Sequence, residues 1–310
     1  MTVDGGIAPY LPFDGGRFRL MMGLMPLPID AWIELGRALA DDLAAKRKLL
    51  QTRHDEVFAA LAEGDGAAFE LLDLLRQHLP RHHADTFTRD GDHLVNAATG
   101  ESWDVAHPPL HPLDLAGRLV PEDLCILQPD GTTFRLVAAS VCSPARWRLS
   151  DKIGRPLGAI HDPVPGYAEK LQRPVDRFFA SIKPEKPVWR LNWGIVDDPA
   201  PFQPVARQRA MTITAENAGE RLWLRVERQT MRRLPASDAV VFTIRTYVTP
   251  LGAAIRSGVA AAELAAIIRD MPEAMRRYKQ IAPLALPLLA WLDRCAESAP
   301  RQDGASTRVR

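Results

Sequence analysis

The stretch D-L-C-I-L-Q-P-D-G-T-T-F-R-L-V-A-A-S-V-C, residues 123–142, decides the fold class. Its two apolar runs flank P-D-G-T, and an Asp-Gly pair between such runs is a strong signal for a β-hairpin turn. We therefore predict two antiparallel strands here, joined by a tight turn, at the start of a β-rich region.

Three further strands are predicted C-terminal to this hairpin. They lie in V-W-R-L-N-W-G-I (188–195), R-L-W-L-R-V-E-R-Q-T-M-R-R-L (221–234) and A-V-V-F-T-I-R-T-Y-V (239–248), which are rich in β-branched and aromatic residues. Residues 80–120 are rich in Pro, Gly, His and Asp, so we expect short strands and loops there.

Helices are predicted on both sides of the β-rich region. Residues 30–79 follow helical spacing, with Asp30 as the N-cap and a break at G-D-G, 64–66. A helix is also expected over Tyr167–Ile182, and another helical region over 258–296, broken by prolines.

These elements predict an α+β fold, an antiparallel five-stranded sheet with flanking N- and C-terminal helices. We expect one domain over residues 1–310. Its predicted parts are a helical region 1–120, a β-rich core 121–250, C-terminal helices 251–296 and a disordered tail 297–310.

The last two predicted strands meet at L-P-A-S-D, and a symmetric hairpin centred near Ala236 would place Glu227 directly opposite Arg245. In that register Gln229 faces Thr243 and one face of the hairpin is polar. A slip of one residue in the loop would reverse the facing of one strand.

Composition excludes several classes of protein. The 310 residues are 46% hydrophobic and 25% charged with a formal net charge of +1, so neither nucleic acid nor an anionic membrane surface is an expected partner. Cys125, Cys142 and Cys295 lie far apart, which argues against a disulfide framework, a structural zinc site or an iron–sulfur cluster held by this chain. No signal peptide or membrane span is predicted, and the expected location is the cytoplasm.

One histidine has an unusual setting, in C-S-P-A-R-W-R-L-S-D-K-I-G-R-P-L-G-A-I-H-D-P-V-P, residues 142–165. Asp162 and Val164 each precede a proline and are predicted to be extended, which would hold the backbone of His161 rigid. A rigid imidazole beside apolar side chains suits an axial haem ligand. A buried histidine bonded to a backbone carbonyl would show the same pattern.

Taken together, the chain resembles the haem-dependent oxidative N-demethylase α-subunit family. The matching segments follow one another in order along nearly the whole chain. They are Y-L-P-F-D-G-G-R-F-R-L-M-M-G-L (10–24), G-R-L-V-P-E-D-L-C-I-L (117–127), C-S-P-A-R-W (142–147), K-I-G-R-P-L-G-A-I-H-D-P-V-P (152–165), V-D-R-F-F (175–179), R-L-N-W-G-I (190–195), L-R-V-E-R-Q-T-M-R-R-L-P (224–235) and F-T-I-R-T-Y (242–247).

The resemblance implies a PAS-like haem domain that oxidises a small methylated amine, such as dimethylamine, with O₂. It also implies separate flavin and iron–sulfur reductase subunits as electron donors. Because the chain has no C-x-x-C-H, the haem would be bound non-covalently, as haem b. The alternatives are a haem-binding PAS-type sensor or redox protein without turnover, and a cofactor-free scaffold.

Candidate site residues follow from this chemistry. His161 is the candidate iron ligand, with Cys142 as the alternative. The haem propionates call for cationic partners, for which Arg190, Arg228 and Arg245 are candidates. A protonated amine calls for a carboxylate or an aromatic face, for which Glu227 and Trp193 are candidates, and Asn192 could donate a hydrogen bond to oxygen. In the predicted register, Arg245 would also keep Glu227 ionised and oriented.

Overall fold

A computed structural model describes residues 8–13, 15–206 and 212–298. In chain order its strands are β1 (Met25–Pro26), β2 (Phe58–Ala60), β3 (Phe87–Asp90), β4 (His93–Asn96), β5 (Glu101–Asp104), β6 (Asp123–Asp130), β7 (Thr133–Ser140), β8 (Val188–Val196), β9 (Trp223–Arg233) and β10 (Val240–Pro250). Its α-helices are α1 (Leu39–Thr52), α2 (His54–Val57), α3 (Asp65–His82), α4 (Pro112–Leu119), α5 (Leu157–His161), α6 (Tyr167–Lys170), α7 (Gln172–Ser181), α8 (Ala218–Arg221), α9 (Leu251–Ala254), α10 (Gly258–Asp270), α11 (Glu273–Tyr278) and α12 (Ala285–Glu297).

The described residues form a large antiparallel sheet in the order β1-β8-β9-β10-β6-β7-β2. Its five central strands are the five predicted from the sequence, so the mixed fold with an antiparallel sheet is confirmed. The count of five is wrong, because β1 and β2 pair with the outer edges. Strands of two and three residues are too short to leave an alternating pattern in the sequence.

The turn that opens the β-rich region forms as predicted. Asp130 pairs with Thr133, which leaves Gly131 and Thr132 as a two-residue loop. Gly131 has φ 62°, a conformation that glycine adopts without strain.

The register of the β9–β10 hairpin differs by one residue from the predicted one. Glu227 lies opposite Thr246, and Arg245 lies opposite Arg228. The N–H of Leu234 bonds the carbonyl of Ala239 at 2.7 Å, so the loop holds four residues rather than an odd number centred on Ala236. Because successive side chains in a strand alternate between faces, Glu227 and Arg245 point to opposite sides of the sheet.

The helical prediction for residues 30–79 is wrong at its start and in its interior, where Phe58–Ala60 form β2. The first long helix begins at Leu39 rather than at Asp30, which lies in a short 3₁₀ turn. Between them Gly36 has φ 72°, which no right-handed helix contains. The predicted break at 64–66 is present, since α3 begins at Asp65.

The region 80–120 holds a small second sheet, in the order β3-β4-β5, as expected for short strands. It also contains α4, which the sequence did not predict. Pro112 is the first residue of α4, where its missing N–H is not needed, and the ring of His111 accepts a hydrogen bond from the N–H of Leu113.

The C-terminal region is helical over α10, α11 and α12, with Pro272 directly before α11. Glu297, assigned to the predicted tail, is the last residue of α12, and residues 299–310 of that tail lie outside the described residues. Within the described ranges, no helix has the length and apolar character needed to cross a bilayer.

The two faces of the large sheet pack differently. Leu124 and Ile126 of β6 face a core shared with α1, α3 and α4. Their neighbours Cys125 and Leu127 face the other side, where they pack with Phe179 of α7. This second face leaves a large space that holds the candidate site.

Candidate functional site

A cavity of about 930 Å³ lies on the second face of the large sheet. Its walls are the sheet, the segment from α5 to α7, the residues after α11, and the N-terminal stretches Leu11–Phe13 and Arg17–Met25. This volume is near the upper end of the range of about 300–1,000 Å³ that is usual for ligand sites. The cavity can therefore accept a large organic cofactor.

Five of the seven candidate residues line this cavity. They are His161, Arg190, Asn192, Trp193 and Glu227. The register of β8 with β9 explains part of this grouping, because Asn192 pairs with Glu227 and Arg190 pairs with Gln229.

His161 ends α5 and is half-buried in the cavity wall. Its Nδ1 lies 2.8 Å from the carbonyl oxygen of Leu157, and its ring stacks on Tyr167 with centroids 4.6 Å apart. Burial lowers the pKa of His161, which favours the neutral ring. A neutral ring whose Nδ1–H donates to a carbonyl keeps its lone pair on Nε2, which is the arrangement usual in metal-binding histidines.

The backbone after His161 differs from the prediction. Asp162 is in the right-handed α region, with φ −45° and ψ −38°, rather than extended. The N–H of Val164 donates to the carbonyl of His161 at 2.8 Å, so a hydrogen-bonded turn overrides the preference that Pro163 imposes on Asp162. The histidine is held by this turn and by α5.

Among the described residues, no three His, Cys, Asp or Glu side chains converge in a way that would hold a metal ion. Haem iron is already bound by the porphyrin and needs few protein ligands, so a single histidine is the donor set that it uses. Cys142 does not line the cavity and packs with Leu50 and Val57. Burial raises the pKa of the Cys142 thiol to about 12, which disfavours the thiolate that a metal needs.

Arg190 provides an unsatisfied cation in the cavity. Its Nε is buried and has no hydrogen-bond partner. Burial lowers the pKa of Arg190, and nearby Glu227 partly offsets this. A buried guanidinium N–H without an acceptor is costly, so the position of Arg190 suits an anionic ligand group such as a propionate.

The charge of the cavity wall also suits an anionic ligand group. Among the described residues the wall has seven basic side chains and one carboxylate, Glu227. The basic residues are Arg17, Arg19, Arg146, Lys152, Arg190, Arg225 and Lys279. With the free Nε2 of His161 and the apolar sheet face, this lining fits a haem, which is planar, apolar and doubly negative at its propionates.

Glu227 is 7% exposed and accepts three hydrogen bonds. Its donors are Asn192 Nδ2 at 3.2 Å, Gln229 Nε2 at 3.0 Å and Arg225 Nε at 3.3 Å. The carboxylate is therefore held in a fixed orientation at the cavity wall. Arg225, rather than the predicted Arg245, is its cationic partner.

The ring of Trp193, a candidate to contact the substrate cation, already has two neighbouring side chains. Its ring packs edge-on against Phe13, with centroids 5.5 Å apart. The ammonium of Lys279 lies 5.4 Å from the centroid of the Trp193 ring, so the aromatic ring already has a cation beside it.

Lys279 lines the cavity but was not among the residues predicted from the sequence. It follows the short helix α11, and its Nζ donates to the carbonyl of Trp193 at 2.6 Å and to Asn192 Oδ1 at 3.4 Å. Burial lowers its pKa to about 8. The segment around it, M-R-R-Y-K-Q, reads as an ordinary basic helix end, so no sequence signal could have identified it.

Arg228 and Arg245 do not line the cavity. Arg228 pairs with Glu34 at 3.0 Å, and Arg245 pairs with Asp42 at 2.6 Å, both on the opposite face of the sheet. Each is nearly fully buried in its ion pair. The predicted contact of Arg245 with Glu227 is therefore wrong, and neither arginine is placed to meet a ligand in this cavity.

A comparison with protein-family models identifies the family of this chain. The model described as haem-dependent oxidative N-demethylase, alpha subunit-like, matches residues 23–289. The match includes α5, the five central strands and the residues after α11, and so contains His161, Glu227 and Lys279. Since it extends over most of the 310 residues, the chain belongs to the haem-dependent oxidative N-demethylase alpha subunit-like family.

Proposed function

We propose that this protein binds haem b through His161 and oxidatively demethylates a small methylated amine such as dimethylamine. The observation that supports this most directly is the free Nε2 of His161 in the wall of a cavity that also contains Glu227. The family description names haem dependence and oxidative N-demethylation. The test is the absorption spectrum of the purified protein with and without dimethylamine.

The proposed haem site uses residues of two wall elements. His161 would hold the haem iron through Nε2, and Arg190 would pair with a propionate. The apolar lining, which includes Leu127 and Phe178, would cover the porphyrin. When bound, haem supplies the activation of O₂ and the oxidising equivalents that no side chain of this cavity provides.

We also propose that the central sheet is PAS-like. In the sheet order β8-β9-β10-β6-β7, the first and last of these strands along the chain, β6 and β10, are paired. The helices α5 to α7 lie between β7 and β8 in sequence. This connectivity supports the likeness.

The proposed amine site is built around Glu227. Asn192, Gln229 and Arg225 orient its carboxylate, which would accept a hydrogen bond from the ammonium of the substrate. The overall reaction is R–NH–CH₃ + O₂ + 2 e⁻ + 2 H⁺ → R–NH₂ + HCHO + H₂O. Binding at Glu227 would fix the nitrogen and so the direction of its methyl group.

Replacing Glu227 with Gln is expected to weaken amine binding. The change keeps the shape of the side chain and removes the charge, so the dissociation constant for dimethylamine should rise roughly tenfold or more, as expected for loss of a charged hydrogen bond of about 1.5–3 kcal/mol. The measurement is a titration of the amine-induced shift of the Soret band.

A matched control for this variant is Glu122→Gln. Glu122 is fully buried beside the same sheet but does not line the cavity, so its replacement should leave the amine titration unchanged. A titration of Glu227→Gln that overlays the parent, with haem content equal in the two proteins, would remove Glu227 from the amine site.

Electrons are expected to come from separate flavin and iron–sulfur reductase subunits. The chain has no G-x-G-x-x-G after a strand and three scattered cysteines, so it offers no sequence signal for binding NADPH or a cluster. The purified chain should not oxidise NADPH with amine and O₂, but should release formaldehyde once such a reductase is added. Steady NADPH oxidation by the chain alone would contradict this, and amine binding without any turnover would favour a sensor.

A further inference from the structure

Lys279 lacks an anionic partner in the part of the chain that the structure describes. Its Nζ donates to two neutral oxygens, the carbonyl of Trp193 and the side-chain oxygen of Asn192. A half-buried ammonium held only by neutral acceptors keeps an incompletely satisfied charge, and it retains donor capacity for one more acceptor. Arg190, the other unpaired cation near it, is assigned to a propionate in the proposed function.

The charges around Glu227 do not suit a ligand that carries only a positive charge. Arg225 lies 3.3 Å from the carboxylate, and both Arg190 and Lys279 are close enough for Glu227 to raise their pKa values. A simple ammonium ion would share one carboxylate with three cations, which reduces its binding. A ligand that brings its own carboxylate would remove this imbalance.

The distances show that one small molecule can reach both Glu227 and Lys279. The carboxamide of Asn192 spans them, since its oxygen lies 3.4 Å from Lys279 Nζ and its nitrogen lies 3.2 Å from Glu227 Oε2. In an α-amino acid the ammonium and the carboxylate are separated by a single carbon atom, so the two charges have a comparable span. A zwitterion lying beside Asn192 would meet both side chains.

We propose that the substrate class of this site is an N-methylated amino acid, whose ammonium binds Glu227 and whose carboxylate binds Lys279. This inference rests on the proposed function and specifies its amine. The reaction balances as above with the amino acid in place of a simple amine: N-methylglycine, O₂, two electrons and two protons give glycine, formaldehyde and water. The lowered pKa of Lys279, about 8, supports it, because burial outweighs the stabilisation that Glu227 gives to the ammonium, and a bound carboxylate would add to that stabilisation.

The test is calorimetric titration of the haem-loaded protein with N-methylglycine, its methyl ester and dimethylamine. N-methylglycine should bind at least tenfold more tightly than the other two, because only it offers a charged acceptor to Lys279. Lys279→Met should remove this preference, and Lys279→Arg should retain it. The ester needs no variant, so the comparison stands even if Lys279→Met folds poorly.

Two results would overturn the inference and leave the proposed function intact. One is equal affinity of the parent protein for N-methylglycine and dimethylamine. The other is a preference for N-methylglycine that persists in a folded Lys279→Met variant. If the parent binds neither compound, the amine site of the proposed function is itself wrong.

Discussion

Replacing His161 with Gly is expected to abolish stable haem binding. The Nδ1–H of the neutral ring donates to Leu157, so Nε2 has the lone pair that an axial ligand needs. Loss of an outer hydrogen-bond partner alone weakens metal affinity by about 10–100-fold, and loss of the ligand itself should have a larger effect. The measurement is the ratio of haem to protein after purification, together with the Soret band.

Two controls separate ligation from folding. Added imidazole should restore the Soret band of His161→Gly, because it can occupy the space left by the side chain. His54→Ala should keep the parental haem content, since His54 bonds Asp114 on another part of the molecule and does not line the cavity. If His161→Gly keeps the parental ferric and ferrous spectra, another ligand holds the iron, and Cys125, which lines the cavity, becomes the next residue to test.

The strands were predictable because their signals are local. The Asp-Gly turn at 130–131 and the apolar runs around it depend on neighbouring residues alone. The edge strands β1 and β2 exist only because other strands lie beside them, so their sequences contain no comparable pattern.

The side of the sheet to which each side chain of the β9–β10 hairpin points could not be predicted from the residues of the two strands. Whether Arg245 meets Glu227 depends on whether the loop has an odd or even number of residues, and Asp238 at φ 62° belongs to the loop that decides it. An uncommon backbone conformation of a non-glycine residue is not visible in the sequence.

The candidate site was predicted only in part, because strand pairing brings some of its residues together and long-range packing brings the others. Arg190, Asn192 and Glu227 come together through strand pairing, which places residues of β8 and β9 side by side. Lys279 reaches the same cavity from a helix end that is 87 residues away from Asn192 in sequence. Only the packing of the C-terminal helices against the sheet brings it there.

The corrected position of Arg245 gives it a structural role with a large expected effect. Arg245 and Asp42 are each 3% exposed, and their side chains are joined at 2.6 Å on the face of the sheet away from the cavity. Burial raises the pKa of nearby Glu122, and the charge of Arg245 opposes that rise. One guanidinium therefore compensates charge in two buried acidic groups.

Replacing Arg245 with Met is expected to destabilise the fold by about 3–5 kcal/mol, because it leaves the Asp42 carboxylate buried without this partner. The double variant Asp42→Leu/Arg245→Met should recover part of that loss, since apolar side chains can replace a buried ion pair at little cost. Urea unfolding followed by circular dichroism measures both. Arg269→Met is the control, because the Arg269–Asp293 pair is about half exposed and should contribute only about 0–1 kcal/mol. A normal unfolding midpoint for Arg245→Met, with amine binding lost, would instead restore Arg245 to the substrate site.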